Sequence, residues 1–403
     1  MIADADTYDI IIVGAGLVGV TLACLIARQN TSHNLRIALV EGGSELHQYQ
    51  GVDFDPRVVA LTQASQDLFI EAGVWSDVAQ QRVCAYREMH VWDGEGTASI
   101  HFDCADVRQD YLGHIVENSV LLNALRQQLS LYPQISLIQP AKIIAVVRNE
   151  KIQVKLNNGS RLNAQLLIAA DGAQSKVREL AEFETREWDY GQKAIITSVQ
   201  TELPHQATAW QRFMRSGPLA FLPLPDVDGK HFCSIVWSAE QALADEIAGL
   251  DDAEFTQRLE AAFEHKLGRI LGCAERFVIP LRQRHATTYI QPQIVLVGDA
   301  AHNIHPLAGQ GVNLGLLDAA VLAQELSRAL DRGIPLNDFS ILRRYQRQRM
   351  ANNLLMMSAM EAFKRLFGSS SLMLNWLRNS GIRQLDSLAA LKKIIVKAAM
   401  GLN

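Results

Sequence analysis

Gly14, Gly16 and Gly19 stand in the spacing GxGxxG, and Glu41 follows roughly twenty residues after the last of them. Those residue types suit a dinucleotide. The first glycine permits a sharp turn, the second lets backbone approach a pyrophosphate, and the third lets helix and strand pack closely, while the carboxylate grips a ribose hydroxyl. Further along, "DGAQSKVR" places Asp171, Gly172, Ser175 and Arg178 where a carboxylate and a guanidinium could meet phosphates. Asp299 ends an apolar run, and its carboxylate suits a sugar or ribityl hydroxyl. Pro306, Gly309, Gln310, Gly311, Val312 and Asn313 then form a loop poor in side chains that can lie against a flat ring, with a helix N-terminus aimed at the same point. Arg57, in "DPRVVAL", could reach a pyrophosphate bidentately. Each has a plainer reading: a packed strand–helix turn, a capped helix start, a glycine-rich turn, and a surface ion pair.

These residues need particular elements to hold them. "YDIIIV" reads as a buried parallel strand, "VTLACLIARQ" as a helix, and "RIALV" as a second strand ending at Glu41. Ile10–Ala27 carries no charge, but Asp4, Asp6 and Asp9 precede it where a signal peptide would carry Lys or Arg. "DPRVVALTQASQDLFIEAGVW" reads as a short loop and a helix, "REMHVWDGEGTASIHFD" as a hairpin turning at Asp93-Gly94, and "IQVKLNNGSRLNAQLLIAAD" as two strands joined at Asn158-Gly159. Between about Trp188 and Phe277 the pattern becomes that of an antiparallel sheet with a helix. The expected fold is α/β: a Rossmann-like nucleotide-binding domain (1–75, 106–185 and 278–342), an inserted, mainly antiparallel substrate domain (76–105 and 186–277), and a helical C-terminal region (343–403).

The chain has 403 residues, enough for two sizeable cores, and 20% charged residues, as in a soluble globular protein. Five cysteines without a CxxC pair point to a reducing compartment, a cytoplasmic location and no structural zinc. No metal ligands are assigned. The net charge is −5, yet from Arg343 to Asn403 eleven basic residues face only Glu361 and Asp386. That asymmetry hints at an anionic partner surface. Nucleic acid is disfavoured, because the tail has no binding motif and few aromatics. "LAALKKIIVKAAMGL" gathers Lys392, Lys393 and Lys397 on one helical face, which fits peripheral contact with the inner face of a membrane or, equally, an ordinary packed helix. Phe221, Pro223, Trp237 and His305 are candidates for a substrate pocket; the first three suit sheet core equally, and His305, beside the glycine loop, also reads as a structural hydrogen-bonder.

GAGLVG with Glu41, DGxxSxxR, and GD followed by "HPLAGQGVNLGLLD" resemble the single-component flavin aromatic hydroxylases, which share the fold of p-hydroxybenzoate hydroxylase. The last stretch is similar to the signature of the ubiquinone-biosynthesis monooxygenases of the UbiH/UbiF/UbiI type. "YREMHVWDGEG", "LGHIVENSVL", "LAFLPL", "HFCSIVWS" and "AAMGLN" most resemble the UbiI branch, the 2-polyprenylphenol hydroxylases. The resemblance implies FAD, NAD(P)H or another electron donor, and molecular oxygen, with a flavin C4a-hydroperoxide passing one oxygen to an electron-rich phenol. The expected reaction is hydroxylation of a polyprenylated phenol in ubiquinone biosynthesis at ring position C5. The alternatives are another ring position, a soluble aromatic substrate, or a noncatalytic flavin- and polyprenyl-binding scaffold. Other ubiquinone-biosynthesis proteins and a second copy of the chain are its candidate partners. No side chain is assigned as a catalytic base. The chain has no second GxGxxG, no CxxxxC near the first glycine loop and no WxWxIP, which disfavours two-nucleotide-domain reductases, disulfide reductases and halogenases.

Overall fold

The computed structural model describes residues 6–43, 48–94, 96, 99–303, 310–368 and 400. At its centre is a six-stranded sheet in the order 290–291, Ile294–Leu296, Leu166–Ala169, Ile10–Val13, Ile37–Val40, Ile135–Ile138. All neighbours pair in parallel except 290–291 with 294–296. Every residue of Ile10–Val13, Ile37–Val40 and Leu166–Ala169 is buried, which is why these strands read as unbroken apolar runs rather than alternations. The helix Leu17–Gln29 lies between the helices Asn118–Leu129 and Gln310–Asp331. On another side stands a four-stranded sheet in which Ile152, Val154 and Leu156 are buried and Lys155 is exposed, the expected alternation, with the hairpin turning through Gly159 at φ +88°.

Val58–Leu61, expected as loop, is a strand. It pairs with Gly113–Glu117, whose other edge takes Val83–Tyr86. Four residues are too few for periodicity to separate strand from loop. The helix Gln63–Glu71 follows, capped by the Thr62 side chain accepting from Ser65 N–H.

The large sheet is nine-stranded. Its order is 302–303, Phe277–Ala286, Thr185–Thr201, Lys230–Glu240, Gly217–Val227, Thr208–Met214, Glu88–Asp93, Ser99–Asp103, with Ile270–Cys273 also on Thr185–Thr201. The last two named in that order form the expected hairpin. Phe277–Ala286 belongs to this sheet, pairing with Thr185–Thr201 at ten positions. One face is covered by the helices Gln241–Ala248 and Asp252–Ala262, which bury Phe221, Ile235, Trp237, Phe255 and Phe263. The opposite face meets the nucleotide-binding part through Leu222, Leu224 and Phe232, packed with Phe54, Tyr86, Ile115 and Met400. No helix among the described residues is long and apolar enough to cross a membrane. The segment containing Lys392, Lys393 and Lys397 lies outside the described residues.

Candidate functional site

Four candidate segments meet at the carboxyl edge of the parallel sheet. Gly14–Gly16 follows Ile10–Val13, Glu41 follows Ile37–Val40, Asp171 follows Leu166–Ala169, and Asp299 follows Ile294–Leu296. Ligands of open α/β sheets bind at such an edge. The three glycines have different reasons to be there. Gly14 adopts φ +102°, and a Cβ on it would sit 2.3 Å from Ala170 O. A Cβ on Gly19 would fall 1.9 Å from Gly14 O. Both are demanded by close packing of helix on strand. Nothing lies within 4 Å of a Cβ built on Gly16, which caps the helix Leu17–Gln29 without a side-chain hydrogen bond. The first N–H groups of a helix have no partner within it, and the open side of Gly16 leaves room for an anion beside them.

Glu41 braces this loop. Its Oε2 accepts from Ala15 N–H at 2.7 Å and its Oε1 from Gly43 N–H at 2.6 Å. A carboxylate has about four acceptor directions, so lone pairs remain for a sugar hydroxyl. Asp299 is exposed to solvent, yet desolvation by the protein around it raises its carboxyl above the usual value. Exposure together with dense surroundings marks a side chain that lines a cleft. Gly298, at φ +58°, gives the turn its shape, and its N–H donates to Asp318 Oδ2 at 3.0 Å. A Cβ on Gly315 would lie 2.8 Å from Val18 Cγ2 and 3.1 Å from Gly298 Cα, so this turn and both helix starts are in close contact.

The DGxxSxxR residues act mainly on the protein itself. Ser175 caps the helix Lys176–Leu180 by accepting from Arg178 N–H, and Asp171 Oδ2 accepts from Lys176 N–H at 2.7 Å and Val177 N–H at 3.1 Å. Burial raises the Asp171 carboxyl, and its Oδ1 is buried without a protein partner. The buried Arg178 guanidinium donates to Ala300 O at 2.9 Å and Ala173 O at 2.8 Å, stapling two turns rather than pointing at a phosphate.

Arg57 is the opposite case: its side chain is 66% exposed, with only a 3.9 Å approach to Asp55 Oδ1. Its backbone is firmly held. Buried Asp55 accepts from Arg57 N–H and Ser119 N–H, both at 2.9 Å, while Glu117 accepts from Asp55 N–H. Arg82 Nε stands 2.9 Å from Glu117 Oε2, close enough for an ion pair but not aligned as a hydrogen bond. Burial nevertheless pushes Glu117 up to about 7. A fixed backbone carrying a free guanidinium suits an anion from outside.

Gly311 and Val312 lie, half-buried, in the first turn of Gln310–Asp331, whose leading N–H groups have no partner within the helix. The side chain of Asn313 is buried and engaged: Oδ1 accepts from Ser65 Oγ at 2.7 Å and Thr62 N–H at 3.2 Å, and Nδ2 donates to Ala60 O at 2.8 Å. Only its backbone can serve a ligand. His305, Pro306 and Gly309 lie outside the described residues. Behind the turn is a buried network not anticipated from sequence. Asp318 meets His302 Nε2 through Oδ2, and Arg349 Nε at 2.7 Å and Asn353 Nδ2 at 3.2 Å through Oδ1. Burial would raise its carboxyl, but the electrostatic and hydrogen-bonding contacts of His302 and Arg349 outweigh it and hold it down to about 2.

Phe221 and Trp237 are sheet core. They lie on the face covered by helices, Phe221 stacked on Phe263 at 3.6 Å and Trp237 6.4 Å from Phe255. Pro223 is buried and, pairing with Cys233, shares their side of the pleat. The face toward the nucleotide-binding part carries Leu222, Leu224, Phe232 and Ser234 instead. A cavity of about 330 Å³ lies there, between Tyr49, Phe54 and Pro56 on one side and Ser198, Ala274 and Phe277 on the other. A larger, polar cavity of about 620 Å³ runs along Asn118–Leu129, lined by Tyr49, Arg82, Asn123 and Arg126, and touches none of the glycine-loop residues. We give the chemistry to the sheet edge, because that is where the candidate cofactor groups converge.

Residues 7–357 match the family described as FAD binding domain. The chain is 37% identical over 395 residues to the 3-demethoxyubiquinol 3-hydroxylase of Escherichia coli (strain K12), covering 98% of each. It is 32% identical to the mitochondrial ubiquinone biosynthesis monooxygenase COQ6 of Homo sapiens, covering 98% of this chain and 93% of that one. Among solved structures, the p-nitrophenol 4-monooxygenase PnpA of Pseudomonas putida superposes with a TM-score of 0.78 at 19% identity over 99% of each chain. PqsL of P. aeruginosa, in complex with 2-aminobenzoylacetate, superposes with a TM-score of 0.78 at 22% identity over 94% of this chain and 100% of that one. At these identities the two structures establish the shared fold.

Proposed function

This chain belongs to the FAD binding domain family and is an FAD-dependent monooxygenase, and from that premise we propose that it hydroxylates a polyprenylated phenol in ubiquinone biosynthesis, at ring position C5. The observation that supports the cofactor part of this reading is the open space at Gly16, whose loop Glu41 holds through Ala15 N–H, with Arg57 and Asp299 as further candidate polar groups. The ubiquinone part rests on the relatives, and the C5 position on the strand segments that resemble the UbiI branch.

In this reading Gly16 and the helix start behind it receive the pyrophosphate, and Arg57 adds a charge-assisted pair of hydrogen bonds. Glu41 holds a ribose hydroxyl while keeping Ala15 in place. Asp299 takes a ribityl hydroxyl, and the first N–H groups of Gln310–Asp331 face the ring carbonyl. FAD, when bound, supplies the activated oxygen, with molecular oxygen and NAD(P)H-derived electrons as co-substrates. The protein's share is to orient the phenol ring and keep water away from that oxygen, since solvent diverts it to peroxide. The sheet face bearing Leu222, Leu224 and Phe232 is apolar enough to do so. Arg178 and Asp318 hold the turn that bears Asp299 and touch no reacting atom. The basic C-terminal segment is proposed to rest on anionic lipid, where such substrates reside.

The test is turnover of FAD-loaded protein with a 2-polyprenylphenol. NAD(P)H, or a chemical reductant if the natural donor is a partner, should give phenol-dependent oxygen consumption and a product carrying one atom from ¹⁸O₂ at C5. Flavin reduction without incorporation into any phenol would leave a scaffold, and incorporation at another carbon would move the chain to another branch.

A further inference from the structure

Ser234 is 2% exposed, and its Oγ has no hydrogen-bond partner. A buried hydroxyl without a partner is costly, and its position says what would satisfy it. Ser234 is the cross-strand partner of Leu222 on one side and Ser198 on the other. Ala274 continues the row, its N–H donating to Ser198 O at 2.9 Å. Residues paired across a ladder point to the same side of the sheet. Leu222, Ser234 and Ser198 therefore share the face turned to the nucleotide-binding part; Ser198 and Ala274 line the 330 Å³ cavity, and Ser234 lies one strand in from it. Cross-strand Cβ atoms lie about 5 Å apart, so a hydroxyl seated over Ser198 is within reach of Ser234.

The mouth of the same cavity has the opposite character. Phe277 lines it and begins the strand Phe277–Ala286. Among the described residues, only Arg284 and Asn303, and His285 and His302, pair on that strand's outer edge, so residues 277–280 form a free sheet edge. Phe277, Val278 and Ile279 are 39%, 37% and 42% exposed, and Leu271 on the adjoining strand is 51% exposed. Free apolar sheet edges are ordinarily blunted by charge or covered. This one begins at the cavity, which Phe277 lines together with Glu275.

We propose that the cleft takes its substrate as an amphiphile, with a ring hydroxyl on Ser234 and the apolar tail leaving over Phe277 and Ile279, which share the cavity face of the strand. This rests on the phenol reading above and adds the direction in which the molecule lies. A polar group at one end and an apolar edge at the other match a hydroxylated ring with a long hydrocarbon chain; a small soluble phenol would use the polar end and leave the apolar edge unexplained.

The experiment compares two phenols on FAD-loaded protein, one with a methyl group and one with a farnesyl chain at the same ring carbon. Binding is read from the flavin absorption spectrum and from tryptophan fluorescence. The substitution Ile279→Gln, at an exposed edge position outside the cavity lining, should weaken the farnesylated phenol at least tenfold and leave the methylated one unchanged. Ser234→Ala should weaken both phenols about equally, Ser234→Thr should restore them, and the matching rings without the hydroxyl should not respond. Unchanged binding of the farnesylated phenol to the edge variant, or equal losses for both phenols, overturns the tail path. No response to Ser234→Ala overturns the polar end. Failure of either phenol to bind the wild-type protein instead removes the phenol reading, and the orientation with it.

Discussion

His302 Nε2 and Asp318 Oδ2 lie 2.5 Å apart with both side chains fully buried, and Arg349 Nε closes on the other carboxylate oxygen at 2.7 Å. Asp318 also receives Gly298 N–H, so the pair fixes the turn that presents Asp299. Removing one member of such a group strands the others in a medium that cannot solvate them. Asp318→Asn should therefore lose about 3–5 kcal/mol of stability, measured by urea unfolding, and release FAD more readily. Wild-type stability in that variant would mean that the network contributes no more than a surface pair.

Gly16 and Gly19 separate cofactor from fold. Gly19→Ala forces a Cβ to 1.9 Å from Gly14 O and should unfold or grossly destabilise the domain, whereas Gly16→Ala meets nothing within 4 Å. The Gly16→Ala apoprotein should melt within about 1 kcal/mol of wild type, as conformationally tolerated changes do, yet bind FAD at least tenfold more weakly in equilibrium dialysis. Equal FAD affinity would place the pyrophosphate elsewhere.

Asp299→Ala should weaken FAD retention by about 1–3 kcal/mol, the cost of leaving a hydroxyl unpaired in a dry cleft, and should leave the unfolding midpoint of the apoprotein close to wild type because Asp299 supports no other element. Fluorescence of released flavin reads the affinity. An apoprotein that loses stability as well would make Asp299 a structural residue.

Stability should fall with acid before the ordinary carboxylates titrate. Burial holds His114 and His285 down to about 4, against an unfolded value near 6.5. A base whose folded value is depressed contributes stability fully above 6.5 and loses it as pH falls toward 4, on the order of 3 kcal/mol each. Glu117 runs the other way: raised to about 7, it contributes below its unfolded value of about 4.5 and loses that contribution as pH rises toward 7. Between pH 6.5 and 4.5 one histidine offsets Glu117 and the other remains, so the unfolding free energy should drop by about 2 kcal/mol. In His285→Gln the profile over that range should be nearly flat. A wild-type profile already flat there would show that one of the histidines is charged in the fold.

The nucleotide loop was legible because its chemistry is local: Gly14 to Gly19 and Glu41 sit at the ends of consecutive strands. The faces of Gly217–Val227 and Lys230–Glu240 were not. Alternation separates Phe221 and Trp237 from Leu222 and Ser234, but only the packing of Gln241–Ala262 decides which set is covered. Arg178 read as a phosphate ligand because a guanidinium's usual partner is an anion; its real partners are two carbonyls, one of them in a turn more than a hundred residues away. His302 and Asp318 are separated by 16 residues, with the glycine-rich stretch of the sequence between them. Arg349 reaches them from the next helix, which periodicity cannot orient.

The ends of the large sheet's excursion nearly coincide. Thr185 pairs with Ala286, Thr287 N–H donates to Glu184 O at 2.9 Å, and Arg178 ties the turns on either side. Everything between leaves and returns through a gap one ladder rung wide, so lengthening or reshaping it changes the closure entropy of the cofactor half very little. The architecture behaves as a socket with an interchangeable tool. Mutations that retune what the sheet grips can accumulate in lineages without rebuilding the machinery that holds the nucleotide, and a chimaera cut at 184 and 287 should inherit one parent's taste for substrate and the other's hold on flavin.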